Sequence, residues 1–230
     1  MSIHDRDFVP GAFASPPCSL HELDPSYSGL EIIDQQTRTD VTRWRKAERS
    51  RLLKSRLARP AHWRATASNA IGTALWSQLD LKPGCVISMY WPIAGEPDLR
   101  PWAGALRASG AHLVLPVVTH MNQAMAFRQW LADAPMKPGI WNIPIPSTGE
   151  WLVPDIVLAP VVGFDSSCFR LGNGGGYFDR TLVELTHRPQ IIGIGFELAA
   201  IDTIFPFEHD VPMHAVVTEQ AVHTTASDSA

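Results

Sequence analysis

The hydrophobic positions of this chain follow two spacings in alternation, and the alternation predicts an α/β fold. Short apolar runs have the length of strands, and the segments between them carry apolar residues three or four positions apart, as helices do. Strands are predicted at residues 85–91, 112–118, 125–130, 156–159, 190–197 and 215–218. Helices are predicted at residues 41–59, 63–79, 98–109 and 177–185. We therefore expect a three-layer α/β/α domain with a mainly parallel central sheet and helices on both faces.

Changes in composition predict the limits of this domain. Residues 1–38 are rich in Pro, Ser and Asp and show no sustained period, which is typical of a flexible N-terminal extension. Asp40 is a suitable N-cap for the first helix. We expect one domain over residues 39–219 and a small polar tail over residues 220–230, which agrees with a length of 230 residues.

One glycine-rich stretch lies between the strand at 156–159 and the helix at 177–185. Four glycines fill five positions shortly after an arginine: Arg170, Gly172, Gly174, Gly175 and Gly176. Glycines allow positive φ angles and close approach of a ligand to the main chain, and a helix N-terminus favours a phosphate. The stretch fits neither the dinucleotide fingerprint nor the Walker loop. A phosphate-binding loop and a glycine-rich turn without a ligand both remain open, and the chain entropy of four glycines favours the loop.

Positive charge is concentrated in the first predicted helix, although the whole chain carries a net charge of −4. This net charge argues against a general nucleic-acid binder. Nine of the 19 basic residues fall between positions 38 and 59. Arg45 and Arg49 are four positions apart and share one helical face. The run fits either a solvated basic face or a surface that binds an anionic ligand.

Several single residues are candidates for ligand or metal contacts. Glu96 follows the predicted strand at 85–91, and ligands of open parallel sheets bind at that edge, so Glu96 is either a ligand contact or a surface acid. Asp179 and Asp210 supply the oxygen donors that Mg²⁺ prefers beside phosphates, or are ordinary helix and loop acids. Trp141 fits a stacking platform or, more commonly for a lone tryptophan, a packing residue.

The three cysteines are scattered and form neither a disulfide framework nor a zinc pattern. They favour the cell interior, and we expect a cytoplasmic protein. No apolar run is long enough for a membrane span, and no secretory signal is evident. We therefore expect neither membrane nor nucleic-acid partners.

Five motifs in this order resemble the 5-formyltetrahydrofolate cyclo-ligase (5,10-methenyltetrahydrofolate synthetase) family over about residues 41–219. They are the basic helix, Gly-Glu-Pro-Asp at 95–98, Trp-Asn-Ile-Pro at 141–144, Arg-Leu-Gly-Asn-Gly-Gly-Gly-Tyr-Phe-Asp-Arg at 170–180, and His-Asp-Val-Pro at 209–212. The segment at 170–180 is the most specific of them. The resemblance implies an ATP-dependent C–N ligase that uses Mg-ATP to close 5-formyltetrahydrofolate into 5,10-methenyltetrahydrofolate, with release of ADP and phosphate.

The resemblance also implies the site residues. The ATP-binding set is Arg45, Arg49, Arg170, Leu171, Gly172, Asn173, Gly174, Gly175, Gly176, Tyr177 and Phe178. The folate-binding set is Arg49, Trp91, Glu96, Trp141, Gly176 and Tyr177. Asp179 and Asp210 are implied ligands of Mg²⁺, and no dedicated nucleophile or base is implied. The expected partners are the two small-molecule substrates, and the expected state is a monomer.

The chain departs from some family members at two places. Asn173 and Gly175 stand where some members have arginine and lysine, and Val117–Val118 stand where some have a basic residue and an aromatic one. Since other members also have glycine at the second of these loop positions, Asn173 and Val117–Val118 are the departures that favour a second hypothesis, a diverged folate- or nucleotide-binding paralogue without turnover.

A third hypothesis is a sugar-phosphate isomerase-like enzyme, because such enzymes share the broad α/β architecture. It requires a carboxylate with a lysine or histidine near the glycine loop. Lys137 is the only lysine after Trp91, so this hypothesis ranks last.

Overall fold

The computed structural model describes residues 35–225 of the chain. Most of the predicted extension at 1–38 and the last part of the predicted tail therefore lie outside the described residues. The chain divides into two compact units, residues 1–48 and 49–230. In the first unit the structure describes part of one helix, and the contacts given below belong to the second unit unless stated.

Four α-helices occur among the described residues: α1 Gln35–Leu57, α2 Ala61–Trp76, α3 Ala103–Ala108 and α4 Tyr177–Glu184. Three-residue 3₁₀ turns lie at Arg100–Trp102, Ile140–Asn142 and Glu197–Ala199. The predicted start of the first helix is wrong, because α1 begins at Gln35 and Asp40 lies inside it. The side chain of Asp40 accepts hydrogen bonds from Gln36 and Arg43 within the helix instead of capping its end. No proline or glycine interrupts residues 35–40, so the helix extends upstream of this acid.

Eleven β-strands occur among the described residues: β1 Val86–Ser88, β2 His112–Val117, β3 Ala126–Gln129, β4 Met136–Pro138, β5 Pro144–Pro146, β6 Ile156–Pro160, β7 Gly163–Phe164, β8 Arg170–Leu171, β9 Gln190–Ile194, β10 Ala215–Val217 and β11 Val222–Thr224. Seven of them form one sheet in the order β11-β10-β9-β6-β1-β2-β3. The five inner strands run parallel, and the edge strands β3 and β11 run antiparallel to their neighbours. The predicted α/β fold with a mainly parallel sheet is confirmed.

The prediction of a polar tail after residue 219 is wrong for its first part. Val222–Thr224 form β11, which pairs with β10, and His223 Nε2 lies 2.9 Å from Glu197 Oε2. The turn before β11 is closed by Thr218, whose hydroxyl donates to the carbonyl oxygen of Ala221. Only three residues form the strand, so the sequence there has no recognisable alternation.

The residues of β6 divide between the two faces of the sheet. Ile156 and Leu158 belong to a core cluster with residues of α2 and α3, whereas Val157 and Ala159 belong to a second cluster that packs against α4. Since successive side chains of a strand point to opposite faces, α2 and α3 cover one face and α4 covers the other. This arrangement gives the predicted three layers.

The sheet contains one topological switch point, between β1 and β6. The chain passes from β1 to β2 in one direction, then crosses to β6 and continues through β9 and β10 in the other direction. The loops that leave the carboxyl ends of β1 and β6 therefore diverge and form a crevice. Ligands of open α/β sheets bind in such crevices.

The close contact between α2 and the 3₁₀ turn at Arg100–Trp102 gives a test of the packing. A Cβ atom on Gly72 would overlap the indole ring of Trp102, whereas a Cβ atom on Gly104 of α3 would meet no atom within 4 Å. We expect Gly72→Ala to lower the free energy of unfolding by about 1–3 kcal/mol, because it overpacks the interface. Gly104→Ala, the matched control, should be neutral or stabilising by at most about 1 kcal/mol. Urea unfolding measures both, and equal stability of the two variants would contradict this packing.

Candidate active site

The glycine-rich stretch forms the connection from β8 to α4. Gly174 has φ 97° and Gly176 has φ 64°, both in the left-handed region that favours glycine. Gly176 is the N-cap of α4 and provides no side chain to cap the helix. The first N–H groups of α4 have no acceptor within the helix, as at every helix start. The loop therefore has the backbone arrangement of an anion-binding helix N-terminus.

Arg49 lies directly against this loop although it is 123 positions away in the sequence. Its Nε donates a 2.8 Å hydrogen bond to the carbonyl oxygen of Gly172. Its guanidinium carbon lies 3.6 Å from the position of a Cβ atom on Gly174. The structure thus brings together Arg49 and the glycine loop, as the sequence predicts. Arg45 lies one turn earlier on α1 and is 6% exposed, and its contact with phosphate stays a prediction.

Arg170 and Asp179, which the sequence assigns to two different roles, form one ion pair. Arg170 Nη2 donates to Asp179 Oδ2 at 2.7 Å, and the guanidinium lies over the ring of Phe178. Burial lowers the pKa of Arg170, and the nearby charges of Asp179 and Asp210 oppose this shift. The Nε atom of Arg170 is buried without a hydrogen-bond partner. The phosphate role of Arg170 and the magnesium roles of both acids stay predictions.

The donor set around Arg170 fits a magnesium ion that phosphates also bind. Within residues 35–225 no three His, Cys, Asp or Glu side chains are arranged to hold a metal ion by themselves. Asp179 Oδ1 has one long contact of 3.5 Å, from the N–H of Val211, and Asp210 Oδ2 accepts a hydrogen bond from the N–H of Phe207. Mg²⁺ commonly takes one or two carboxylates, and substrate phosphates and water complete its shell. Asp179 and Asp210, both near Arg170, would meet that requirement if phosphates bind at the glycine loop.

Glu96 is buried in the loop after β1 and is not a surface acid. Its Oε2 accepts a 2.9 Å hydrogen bond from the N–H of Ile93, and its Oε1 accepts a 3.4 Å hydrogen bond from Nδ2 of Asn173. Burial raises the pKa of Glu96, whereas the Ile93 N–H group, Arg56 and Asn173 lower it. Because Asn173 belongs to the glycine loop, this contact joins the two loops that sequence analysis assigns to different substrates.

Arg56 is a site residue that the sequence analysis missed. Its side chain is 5% exposed, and its Nη2 lies 3.9 Å from Glu96 Oε1. Its Nε donates to the carbonyl oxygen of Ala94 at 3.0 Å, and its Nη1 donates to that of Val161 at 3.2 Å. Arg56 therefore connects the loop after β1 to the end of β6. The available signal was its spacing of seven from Arg49, which places both residues on one face of α1.

The basic run of α1 has two faces with different surroundings. Arg45 and Arg56 are buried. The exposed basic residues of the run are Arg43, Lys46, Arg51, Lys54 and Arg59. One face of the run is therefore solvated, and Arg49 on the other face contacts the glycine loop; binding of an anionic ligand there stays a prediction.

The aromatic residues of the predicted folate set lie in two places. Trp141 is 57% exposed and meets the ring of Tyr177 edge-on, with ring centroids 5.3 Å apart. Trp141 is therefore not a core residue, and its role as a stacking platform stays a prediction. Trp91 is half-buried, contacts Trp130 edge-on at 6.3 Å, and has the guanidinium of Arg100 over its ring. The pair Trp141–Tyr177 lies at the start of α4, beside the glycine loop.

Comparison with known proteins leads to the same family as the motifs. A sequence model of the 5-formyltetrahydrofolate cyclo-ligase family matches residues 41–219. The chain belongs to this family. The match confirms the resemblance and the interpretation of the chain as an enzyme of the cyclo-ligase class.

Relatives and solved structures of cyclo-ligases agree with this assignment. The Haemophilus influenzae 5-formyltetrahydrofolate cyclo-ligase is 30% identical over 141 residues, which cover 57% of this chain and 74% of the relative. The Escherichia coli K12 protein of the same name is 27% identical over 143 residues, which cover 59% of this chain and 79% of the relative. The structure of Aquifex aeolicus 5,10-methenyltetrahydrofolate synthetase superposes with a TM-score of 0.70 at 26% identity, over 81% of this chain and 95% of that one. A Mycoplasma pneumoniae 5,10-methenyltetrahydrofolate synthetase, at 24% identity and a TM-score of 0.63 over 76% of this chain and 98% of that one, supports the fold.

The described part of this cyclo-ligase family member contains no helix long and apolar enough to cross a membrane. Its glycine loop and its predicted folate contact Glu96 are joined by the Asn173–Glu96 hydrogen bond, and Glu96 lies in the loop that follows β1 at the switch point. This is where the sheet topology alone places a ligand.

The raised pKa of Glu96 makes a prediction about the pH dependence of stability. Between its ordinary pKa and the raised pKa the folded state binds more protons than the unfolded state, so stability falls as the pH rises through this window. The charge-neutral variant Glu96→Gln lacks this term. We expect the difference in unfolding free energy, wild type minus Glu96→Gln, to become less positive as the pH rises. Urea unfolding at several pH values measures it.

The exposed residue Glu184 at the end of α4 gives the control for this measurement. The difference between wild type and Glu184→Gln should change little over the same pH range. A wild type that gains stability relative to Glu96→Gln as the pH rises would contradict the burial of a costly carboxylate.

Proposed function

We propose that this protein catalyses the ATP-dependent cyclisation of 5-formyltetrahydrofolate to 5,10-methenyltetrahydrofolate, with release of ADP and phosphate. The observation that carries the proposal is the adjacency of two loops. Arg49 binds the glycine loop at Gly172, and the next residue of that loop, Asn173, reaches the buried acid Glu96. A phosphate on the loop and a folate at Glu96 would therefore be neighbours, as transfer of a phosphoryl group between two substrates requires.

The reaction needs activation of a poor leaving group. The formyl oxygen of the substrate belongs to an amide-like group and does not depart as such. Transfer of the γ-phosphoryl group breaks its bond to ADP and forms a bond to the formyl oxygen. The folate N10 then attacks the formyl carbon and loses its proton, and the carbon–oxygen bond breaks to release phosphate. The protein contributes positioning and charge neutralisation, which require no nucleophilic side chain.

The residues have distinct roles in this proposal. The N–H groups of the glycine loop and of the first turn of α4 bind phosphate oxygens, and Arg45, Arg49 and Arg170 neutralise their charge. Asp179 and Asp210 hold Mg²⁺, which supplies further charge neutralisation on the phosphates. Glu96 accepts hydrogen bonds from the folate, and the folate ring packs against Trp141 and Tyr177, with Trp91 nearby.

The proposal also keeps three broader expectations from the sequence. The catalytic domain spans residues 39–219, to which the structure adds the edge strand β11. The protein acts on two small molecules as a monomer in the cytoplasm. It uses neither nucleic acid nor membrane, which agrees with a net charge of −4.

A folate- or nucleotide-binding paralogue without turnover is the second candidate. The observation that favours it is the neutral side chain of Asn173, which faces Glu96 where some members have arginine. Val117 and Val118, buried and half-buried, offer the folate neither a charge nor a ring to stack on.

A turnover assay decides between the two candidates. Purified protein with 5-formyltetrahydrofolate and Mg-ATP should form the methenyl product, which is followed by its near-ultraviolet absorbance, together with one ADP for each product. Chelation of Mg²⁺ by EDTA should stop product formation and excess Mg²⁺ should restore it. Binding of both substrates without product would support the paralogue and remove the ligase.

Arg49 provides the test of the phosphate site. We expect Arg49→Met to raise the Michaelis constant for ATP about 10- to 100-fold, because it removes a charge-assisted contact of about 1.5–3 kcal/mol. Lys54→Met changes an exposed residue of the same helix and should leave the Michaelis constant for ATP unchanged. An unaltered Michaelis constant for ATP in Arg49→Met would show that the phosphates bind elsewhere. Arg170→Ala is less specific, since it also leaves Asp179 without its partner.

A further inference from the structure

The structure assigns a positioning role to Arg56: it fixes the Glu96 carboxylate in one orientation and keeps it charged for the folate. This inference rests on the proposed function, because Glu96 is there the folate contact. It concerns a residue outside the phosphate and folate sets that the family resemblance supplies.

The guanidinium of Arg56 faces three groups in three different directions. Nε donates to the carbonyl oxygen of Ala94 and Nη1 to that of Val161, whereas Nη2 lies 3.9 Å from Glu96 Oε1 and is buried without a hydrogen-bond partner. A planar guanidinium fixes these three directions at once, which a lysine does not. The group therefore sets the distance between the loop after β1 and the end of β6, and with it the place of Glu96.

The loop that carries Glu96 has an unusual backbone conformation just before this residue. Ala94 has φ 47° and Gly95 has φ 74°, two consecutive residues in the left-handed region. A non-glycine residue there costs free energy, and it persists where the surroundings hold it. The hydrogen bond from Arg56 to the carbonyl oxygen of Ala94 is a contact that holds this turn.

Burial and a neighbouring cation act in opposite directions on the charge of Glu96. Burial disfavours its ionised form, and the cation that opposes this effect is Arg56 of α1. The other groups that face Glu96 are the N–H group of Ile93 and the neutral Asn173 of the glycine loop. Further out, Tyr90 at the end of β1 lies near both Glu96 and Asp98, and Arg64 of α2 lies near Arg56. Because position 173 is neutral here, Arg56 supplies the positive charge beside Glu96.

A charged Glu96 matters for a pterin ring because the ring presents N–H donors. An ionised carboxylate accepts hydrogen bonds on both oxygens, whereas a protonated one donates from one of them. Loss of Arg56 should therefore weaken folate binding most in the pH range where the carboxylate is ionised in the wild type but protonated in the variant. Binding of ATP at the glycine loop should change much less.

The experiment measures equilibrium binding of 5-formyltetrahydrofolate over pH 5–9, without ATP, to the wild type, Arg56→Met and Arg56→Lys. In the wild type, affinity should fall as the pH drops through the pKa of Glu96. In Arg56→Met the fall should begin at a higher pH, and affinity at neutral pH should be lower by about ten-fold or more. Arg56→Lys keeps the charge but loses the fixed contacts, so its affinity should fall while its pH profile stays close to that of the wild type. Ionisation of the ligand affects binding to the wild type and to the variants equally, so it does not change the difference between their pH profiles.

Two controls separate positioning from general loss of structure. Lys54→Met, exposed on the same helix, should bind as the wild type does. Asn173→Leu changes an exposed loop position and removes a neutral partner of Glu96, so it should shift the profile in the same direction but less. If Arg56→Met does not fold, the pH profile of Asn173→Leu tests the inference in its place.

The outcomes distinguish this inference from the proposed function. A wild type that binds folate without forming product removes the ligase proposal and leaves the binding test intact. A wild-type pH profile that Arg56→Met, or Asn173→Leu in its place, leaves unshifted overturns the inference alone. A wild type that does not bind 5-formyltetrahydrofolate overturns both.

Discussion

The candidate site depends on the interaction of one buried guanidinium, that of Arg56, with the loop after β1 and the end of β6. A buried ion pair adds little net stability, because each ion loses its hydration on folding. An apolar pair of similar size would fill the same space at a similar free energy. What it would not supply is direction, since only a fork of N–H donors binds two main-chain carbonyls and faces Glu96 at the same time. The pair thus fixes the width of the crevice at the switch point rather than the stability of the fold.

A second guanidinium has a comparable place under the glycine loop. Arg170 is bound to Asp179, lies in the field of Asp210, and has a Cβ position on Gly172 only 2.5 Å from its Nη1. A side chain at position 172 would therefore displace the guanidinium of Arg170. Asp179 and Asp210 both lie near this guanidinium. In the proposed site, a metal ion that arrives with phosphates would offset the repulsion between these carboxylates and the phosphates.

The sequence predicts those parts of this molecule that local patterns specify. Apolar runs locate the inner strands, and glycines at 172–176 locate the loop at the start of α4. The start of α1 was missed because Asp40 is a good capping residue by type, whereas here it lies inside the helix and accepts hydrogen bonds from Gln36 and Arg43. Arg56 and the Arg170–Asp179 pair were missed for another reason. Their roles arise from partners far along the chain, and neither helical spacing nor composition records which cation of a basic run becomes buried.

The departures of this chain from some of its family have a consequence for the distribution of charge. With neutral residues at 173 and 175, the loop itself carries no cation between Arg170 and Arg180. Positive charge near the loop comes from Arg49 of α1 at Gly172, from Arg170 beside Asp179, and from Arg180 of α4 near Gly176. A guanidinium on a helix loses less conformational freedom on binding than a long side chain on a glycine-rich loop would. In the proposed phosphate site, helix residues would thus supply the positive charge, while the neutral Asn173 contacts Glu96.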